Sequence, residues 1–543
     1  MRIAASRRQV LKRESTPRAI VEGPAESWQV VSEMTVTIDG ESLTIEDVVR
    51  VARHGEDVTL TDDARMKIEK SRQVIEAAIR EGRTVYGVNT GFGDLANVSI
   101  AASDVADLQV NLIRSHSVGV GEPFPEEVVR GMMLLRANAL AKGFSGVRLE
   151  VVETLLRMLN RGVVPVVPQQ GSVGSSGDLA PLAHMVLVMI GEGEAFLEGK
   201  RMDGAEAMRR ADIPLVVLQA KEGVALINGT QPMTAVGVLA IHDALRLVSD
   251  ATVAGAMSLE ALRGTRAAYD ARIHAVRPHE GQVDAARALL SILADSEINR
   301  SHADCGKVQD AYSLRCFPQV LGASIDAIRY VSSVLEVEIN AATDNPLVFP
   351  DDGTVVSGGN FHGQPVALAM DFLSIALSEI ANIAERRINR LVDPKLSGLP
   401  PFLTRNSGLQ SGMMIAQYTA ASLVSENKVL AHPASVDSIP TSAEQEDHVS
   451  MGTIAARKAR QILENVKNVV AIEYLCAAQG LDLLAPLRPS EALERAHALI
   501  RTVVPELTDD RPLYSDIVKI RQLMDCGEIV SAVESVTGAL YEV

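Results

Sequence analysis

The residues best placed to do chemistry lie in Gly171-Ser-Val-Gly-Ser-Ser-Gly-Asp-Leu-Ala-Pro-Leu-Ala-His184. The first seven positions of this stretch carry three glycines and three serines. Each glycine in a helix interior costs about 1 kcal/mol, so a tight loop is expected rather than regular structure. A flexible Gly/Ser linker is the competing reading. Linkers rarely join two strongly apolar segments, and here 163–168 and 179–190 flank the loop. Asp178 reads as an N-cap or first-turn residue, with Pro181 in the first turn of a helix that runs to Ile190.

Ser175-Ser176-Gly177 can react through its backbone. Glycine has no side chain to hinder the approach of the Gly177 nitrogen to the Ser175 carbonyl. That attack closes a five-membered ring. Loss of two waters, one of them carrying the Ser176 hydroxyl, leaves an exocyclic methylidene. The chain then holds an electrophile made from itself.

Other polar groups stand out against apolar or glycine-rich surroundings. Tyr86 precedes Gly-Val-Asn-Thr-Gly-Phe-Gly93, a glycine-punctuated functional loop in which its ring by itself reads as packing; a phenol that takes a proton requires a depressed pKa or a cationic neighbour. Asn228, in Leu-Ile-Asn-Gly-Thr-Gln231, reads as an Asx turn or N-cap, a role compatible with a site function. Gln309-Asp-Ala-Tyr312-Ser-Leu-Arg315-Cys-Phe-Pro-Gln319 is either solvated surface or a polar site before a helix. Thr441-Ser-Ala-Glu-Gln-Glu446-Asp-His-Val-Ser-Met451 holds more acid than helix-dipole chemistry alone explains. Ser115-His116, Asn345 and Asn360-Phe361-His-Gly363 complete the set.

The elements that position these groups are mostly helical. Aromatics make up only 3% of 543 residues and apolar residues 47%, so the core must be built largely from Ala, Val, Leu, Ile and Met. Helices are expected over 45–54 (capped by Thr44), 61–80, 102–117, 126–142, 149–161 and 203–211. Longer ones are expected over 230–262, 318–341, 364–391 and 411–429, with a shorter one at 286–294. Hairpins are expected at 35–43, turning at Asp39-Gly40, and at 194–202, turning at Glu198-Gly199. The long helices are apolar nearly all round, which implies burial in a bundle and against other subunits. Four segments follow: a disordered 1–34, a loop-bearing domain over 35–225, a central long-helix bundle over 226–480, and a C-terminal helical segment over 481–543.

The formal charge of −17 argues against a general nucleic-acid or anionic-membrane binder. Cys305, Cys316, Cys476 and Cys526 lack metal-ligand spacing and read as free thiols of a reducing compartment. No run is read as membrane-spanning, and the basic N-terminus lacks the apolar core of a secretory signal. A cytoplasmic protein with no metal is the expectation.

The loop resembles the signature of the aromatic amino acid ammonia-lyase and aminomutase family, which forms 4-methylideneimidazol-5-one (MIO) autocatalytically from an Ala-Ser-Gly triad. Here Ser175 stands in the first position. Its side chain remains a ring substituent, so a hydroxymethyl replaces a methyl. The resemblance runs from about residue 35 to at least 480, and the Tyr86, Gln309 and Glu446 blocks share in it. It implies a mainly α fold of the ammonia-lyase/fumarase-like type and no dissociable cofactor. It also implies a homotetramer with active sites shared between subunits.

By resemblance, Tyr86 takes the β-proton and Asn228 hydrogen-bonds the ring. Arg315 binds the substrate carboxylate. Tyr312, Gln309 and Phe361 line the site, Asn345 is a carboxylate-side or turn residue, and Ser115-His116 with Glu446 form the side-chain pocket. That pocket is similar to those of histidine-specific members. The implied reaction is elimination of ammonia from L-histidine to trans-urocanate, with a tyrosine 2,3-aminomutase as the alternative. Other charge-poor pockets of the family suit phenyl rings, which a buried unpaired carboxylate would oppose by several kcal/mol.

Overall fold

Five helices of 17 to 31 residues frame the molecule: Gln231–Ala261, Phe317–Glu338, Gln364–Val392, Met414–Leu430 and Gly452–Asp482. Three of them begin with proline in the first turn, where a missing N–H costs nothing and the fixed φ sets the helix start. The computed structural model describes residues 35–541 except Phe92. The expected extension over 1–34 lies outside the described residues. Helix accounts for 60% and strand for 7% of the described residues, so the fold is mainly α as expected.

The 364–392 and 452–482 helices pack along their lengths, and the 231–261 helix packs against both. The 317–338 helix covers the 364–392 helix, and the 414–430 helix lies against the 452–482 helix. Small residues let the backbones approach: a Cβ at Gly255 would sit 2.4 Å from the Phe317 ring. A buried ion pair ties the frame together. Arg387 Nη2 donates to Glu473 Oε2 at 2.8 Å, and Ser258 Oγ donates to the same carboxylate at 2.7 Å. The Arg387 guanidinium lies 4.2 Å from the Phe317 ring centre. Removing one partner of such a pair would cost roughly 3–5 kcal/mol, because the remaining charge is stranded in an apolar interior.

The 364–392 helix is long and apolar enough to cross a membrane by length and composition, contrary to the expectation that no run is. Its most apolar window is 72% buried inside the protein, so tertiary packing already accounts for its composition.

The N-terminal part is smaller in scale. Thr44 caps Ile45–His54 with a reciprocal capping box to Asp47. The hairpin expected over 35–43 does not form. Val36–Ile38 pairs in parallel with Val58–Leu60, in the register Val36 to Val58. The turn at Asp39-Gly40 does exist, but the Asp39 carboxylate accepts the Glu41 and Ser42 amides. Those amides are therefore lost to a returning strand, and the chain passes straight to the capped helix. The hairpin of Glu194–Leu197 and Lys200–Asp203 does form, with both turn residues at positive φ, as a primed two-residue turn requires.

Candidate active site

Three segments meet at Ser176. The reactive loop enters from Pro168–Gln170 and leaves into Leu179–Met189. Glu222–Ile227 ends at Asn228, and the 441–446 loop precedes the 452–482 helix. Asn228 Nδ2 donates to the Ser176 carbonyl at 2.9 Å. The Asp178 amide donates to the Gly229 carbonyl at 2.8 Å, and Gly177 faces Gly229 in an isolated parallel bridge. Gly177 has φ +72°, and a Cβ there would lie 2.1 Å from the Gly229 oxygen, so only glycine fits.

Asp178 occupies the N-cap position, but its side chain caps nothing. It accepts the Met233 amide at 2.8 Å and hydroxyls from Ser172 and Thr453. Full burial pushes its carboxyl up, against these three donors. The carboxylate thus pins the loop to the starts of two long helices, a tertiary role that displaces the expected local one. Asn228 likewise does not cap the next helix; Thr230 occupies that position.

A cleft opens over Ser176. Tyr86, Leu112, His116, Leu179, Ile227 and Glu446 line its inner part, and Ser175, Asn345, Phe361, His362 and His448 the outer part. Ser176 Oγ donates to Glu446 Oε1 at 3.0 Å, and Thr441 Oγ1 donates to Glu446 Oε2 at 2.7 Å. The Gly93 amide donates to Tyr86 Oη at 3.2 Å. Ser115 Oγ lies 3.0 Å from His116 Nδ1. Asn345 Oδ1 accepts the Gly358 amide and so orders the outer loop.

Burial pushes the Tyr86 phenol above its ordinary value; the Gly93 amide works against this and the Glu446 charge adds to it. This is opposite in sign to the depressed phenol a base at this position requires. Burial pushes the His116 imidazole below its ordinary value, so it is neutral near pH 7.

Among the described residues lining the cleft there is no lysine or arginine. Gln309, Tyr312 and Arg315 lie elsewhere, at the Tyr312–Arg315 turn before the 317–338 helix. Tyr312 is 71% exposed, with the Arg315 guanidinium 4.9 Å from its ring centre, and Arg315 Nε is buried without a partner. Sequence reasoning missed three members of the site's surroundings. Ser442 lines the inner cleft within a run of left-handed residues, Ser442, Ala443 and Glu444, which no local pattern announces. Arg136 and Lys221 are fully buried behind Asn228. Arg136 did leave a signal, as a lone cation within Met-Met-Leu-Leu-Arg-Ala-Asn-Ala-Leu140.

Residues 43–502 match the family profile described as aromatic amino acid lyase. The chain belongs to the aromatic amino acid lyase family. A histidine ammonia-lyase of Caldanaerobacter subterraneus subsp. tengcongensis is 60% identical over 494 residues, covering 91% of this chain and 97% of that protein. The crystal structure of histidine ammonia-lyase from Trypanosoma cruzi superposes with TM-score 0.86 at 46% identity, over 93% of this chain and 96% of the other. A tyrosine aminomutase from Streptomyces globisporus superposes with TM-score 0.88 at 39% identity, over 93% and 99% of the two chains. This lyase family therefore includes near relatives of two reaction outcomes, and the higher identity is with the histidine lyases.

Proposed function

We propose that this chain is a histidine ammonia-lyase, converting L-histidine to trans-urocanate and ammonia. The observation that carries the reading is that His116 and Glu446 line one pocket with Ser176. Such a pocket offers a hydrogen-bonding nitrogen and a carboxylate to an imidazole. A phenyl ring would leave Glu446 Oε1 without a donor, at a cost of several kcal/mol. The 60% identity to a histidine ammonia-lyase supports the same choice over the aminomutase.

The loop suits the MIO group. Gly177 admits no side chain, the Ser176 carbonyl is already held by Asn228, and Ser175 is buried beneath it. Ser175, Ser176 and Gly177 would form the ring, and Asn228 would hold its carbonyl. When formed, the ring supplies an electrophile for the substrate amine. Ring formation removes the Ser176 hydroxyl, which leaves Glu446 Oε1 to a substrate donor. Tyr86 then takes the β-proton, and His116 and Glu446 orient the side chain.

A cation for the substrate carboxylate is still required, and a fork of two N–H donors suits it best. Arg315 meets that need from another subunit, and its charge beside Tyr86 would lower a phenol that burial raises. The outward faces of the long helices support assembly. Leu368, Phe372 and Ile375 form an exposed apolar stripe on the 364–392 helix, Tyr330 packs on Phe372, and Ile415 and Tyr418 are exposed on the 414–430 helix. We assign a homotetramer with shared sites to this face. The four cysteines are free thiols, which supports a cytoplasmic location.

The deciding experiment incubates the protein separately with L-histidine, L-tyrosine and L-phenylalanine. Urocanate absorbance from histidine alone supports the reading. β-Tyrosine with histidine untouched would overturn it in favour of the aminomutase.

A further inference from the structure

Arg136 is fully buried in the Glu126–Ala141 helix, yet among the described residues no carboxylate pairs with it directly. Its Nη1 donates to the Asn228 carbonyl and to Gln231 Oε1, both at 2.9 Å. Its Nε and Nη2 are buried without partners among the described residues. The nearby Asp344 carboxylate is held by Lys221, itself fully buried, with Nζ 2.6 Å from Oδ2. Arg136 and Lys221 thus share one nearby carboxylate, Asp344, which only Lys221 bonds. Burial lowers the Arg136 guanidinium to about 10, opposed by Asp344, so it stays charged near pH 7. A fold that served packing alone would place an apolar side chain here, because a buried, partly unpaired cation is destabilising.

The strip that Arg136 holds grips the reactive tripeptide on both sides of Gly177. Asn228 Nδ2 takes the Ser176 carbonyl, and the Gly229 carbonyl takes the Asp178 amide. Arg136 approaches the same strip so closely that a Cβ on Gly229 would lie 2.5 Å from Nη1. Gln231, the second acceptor, is fixed in turn by Thr343 at 2.8 Å. The chain therefore has a hard backing for a compressed turn.

We infer that Arg136 is a positioning residue for ring formation, holding the 228–229 strip against Ser176 and Asp178 so that the Gly177 nitrogen meets the Ser175 carbonyl carbon. In that closure the nitrogen–carbon bond forms and the Ser175 carbonyl oxygen leaves as water, with protons from the Gly177 and Ser176 nitrogens. The second water takes the Ser176 hydroxyl and the Ser176 α-proton. The Ser176 carbonyl survives, still bound by Asn228. The inference rests on the proposed ring but not on the choice of substrate.

The test uses full-length Arg136→Met and Arg136→Lys, with intact mass, circular dichroism and steady-state kinetics on L-histidine. Wild type is expected to be lighter than its encoded mass by two waters. Arg136→Met is expected to fold but to remain mostly at encoded mass. Arg136→Lys keeps the charge and loses the rigid guanidinium that sets Nη1 between the Asn228 carbonyl and Gln231 Oε1. It is expected to mature more slowly, with kcat at least ~10-fold lower and KM within ~2-fold of wild type. Arg136→Lys decides the matter if the methionine variant does not fold. Complete ring formation at the wild-type rate in Arg136→Lys, with kcat unchanged, would overturn the inference. A wild-type chain at its encoded mass overturns the ring and this inference together. A lighter wild-type chain that leaves histidine untouched overturns the substrate assignment alone.

Discussion

At the scale of single residues, the proposed chemistry asks three duties of the cleft: making the ring, moving a proton and recognising a side chain. Ser176→Ala removes the hydroxyl that must leave, so the chain is expected to keep its encoded mass and show no urocanate production. Tyr86→Phe keeps the ring chemistry and loses the base. Intact mass should then still show the loss of two waters, while kcat falls by roughly 10²–10⁴. Glu446→Gln retains shape and removes charge, and the main expected loss is in recognition of the imidazole. Its kcat/KM for L-histidine should fall by about 10–100-fold, because a buried charge-assisted hydrogen bond contributes about 1.5–3 kcal/mol. Equal kcat/KM in wild type and Glu446→Gln would remove Glu446 from substrate recognition.

At the scale of elements, the reactive loop is held by tertiary contacts rather than by its own turn chemistry. Gly177 packs directly on Gly229, Asp178 reaches the Met233 amide, and the Ser450 hydroxyl donates to the Gly174 carbonyl at 3.1 Å. Gly177→Ala puts a methyl where a carbonyl oxygen stands, at a left-handed φ. It is expected to abolish the mass loss even in chains that fold. The 441–446 loop shows the same economy. Three consecutive non-glycine residues are left-handed there, a conformation costing of order 1 kcal/mol or more per residue, and the Thr441–Glu446 contact holds the loop closed over Ser176. Local patterns predicted most of the helices to within a few residues, since apolar periodicity and the Thr44 cap are local signals. The 35–43 hairpin failed because polar residues after the Asp39-Gly40 turn spend their amides on Asp39, and the partner strand comes from Val58–Leu60.

At the scale of the whole molecule, two consequences follow from what the long helices bury and what they expose. The Asp250 carboxyl is buried between the 231–261 and 452–482 helices, where Tyr474 donates to it at 3.1 Å. Burial raises it to about 7. The native state therefore keeps a proton that the unfolded chain releases near ~4. Its contribution to stability is full at acid pH and is lost as pH rises toward about 7. Asp250→Asn should raise the thermal midpoint over wild type at pH 8, by about 1–3 kcal/mol in stability, with the gap closing toward pH 4.5. A gap of constant size across that range would contradict the raised carboxyl. The second consequence concerns sharing. Tyr86→Phe and Arg315→Met chains are each expected to be nearly inactive, while co-expressed chains should regain roughly a quarter of wild-type activity through mixed sites. No recovery on mixing would place Tyr86 and Arg315 in one subunit's site.

By itself, the sequence singled out the Ser175-Ser176-Gly177 tripeptide, the mainly helical class, and most of the groups that gather around Ser176. These were legible because they depend on local chemistry: glycine where a backbone must react, apolar periodicity where a helix must be buried. Only the tertiary structure decided which groups meet. It turned Asp178 from a cap into an anchor, aimed Asn228 at the Ser176 carbonyl, and set Arg136 and Lys221 behind it. It also kept Arg315 away from the cleft of its own chain. Such choices follow from contacts between residues far apart in sequence, and burial and pairing at those contacts reset each group's charge and partners, which no local pattern encodes.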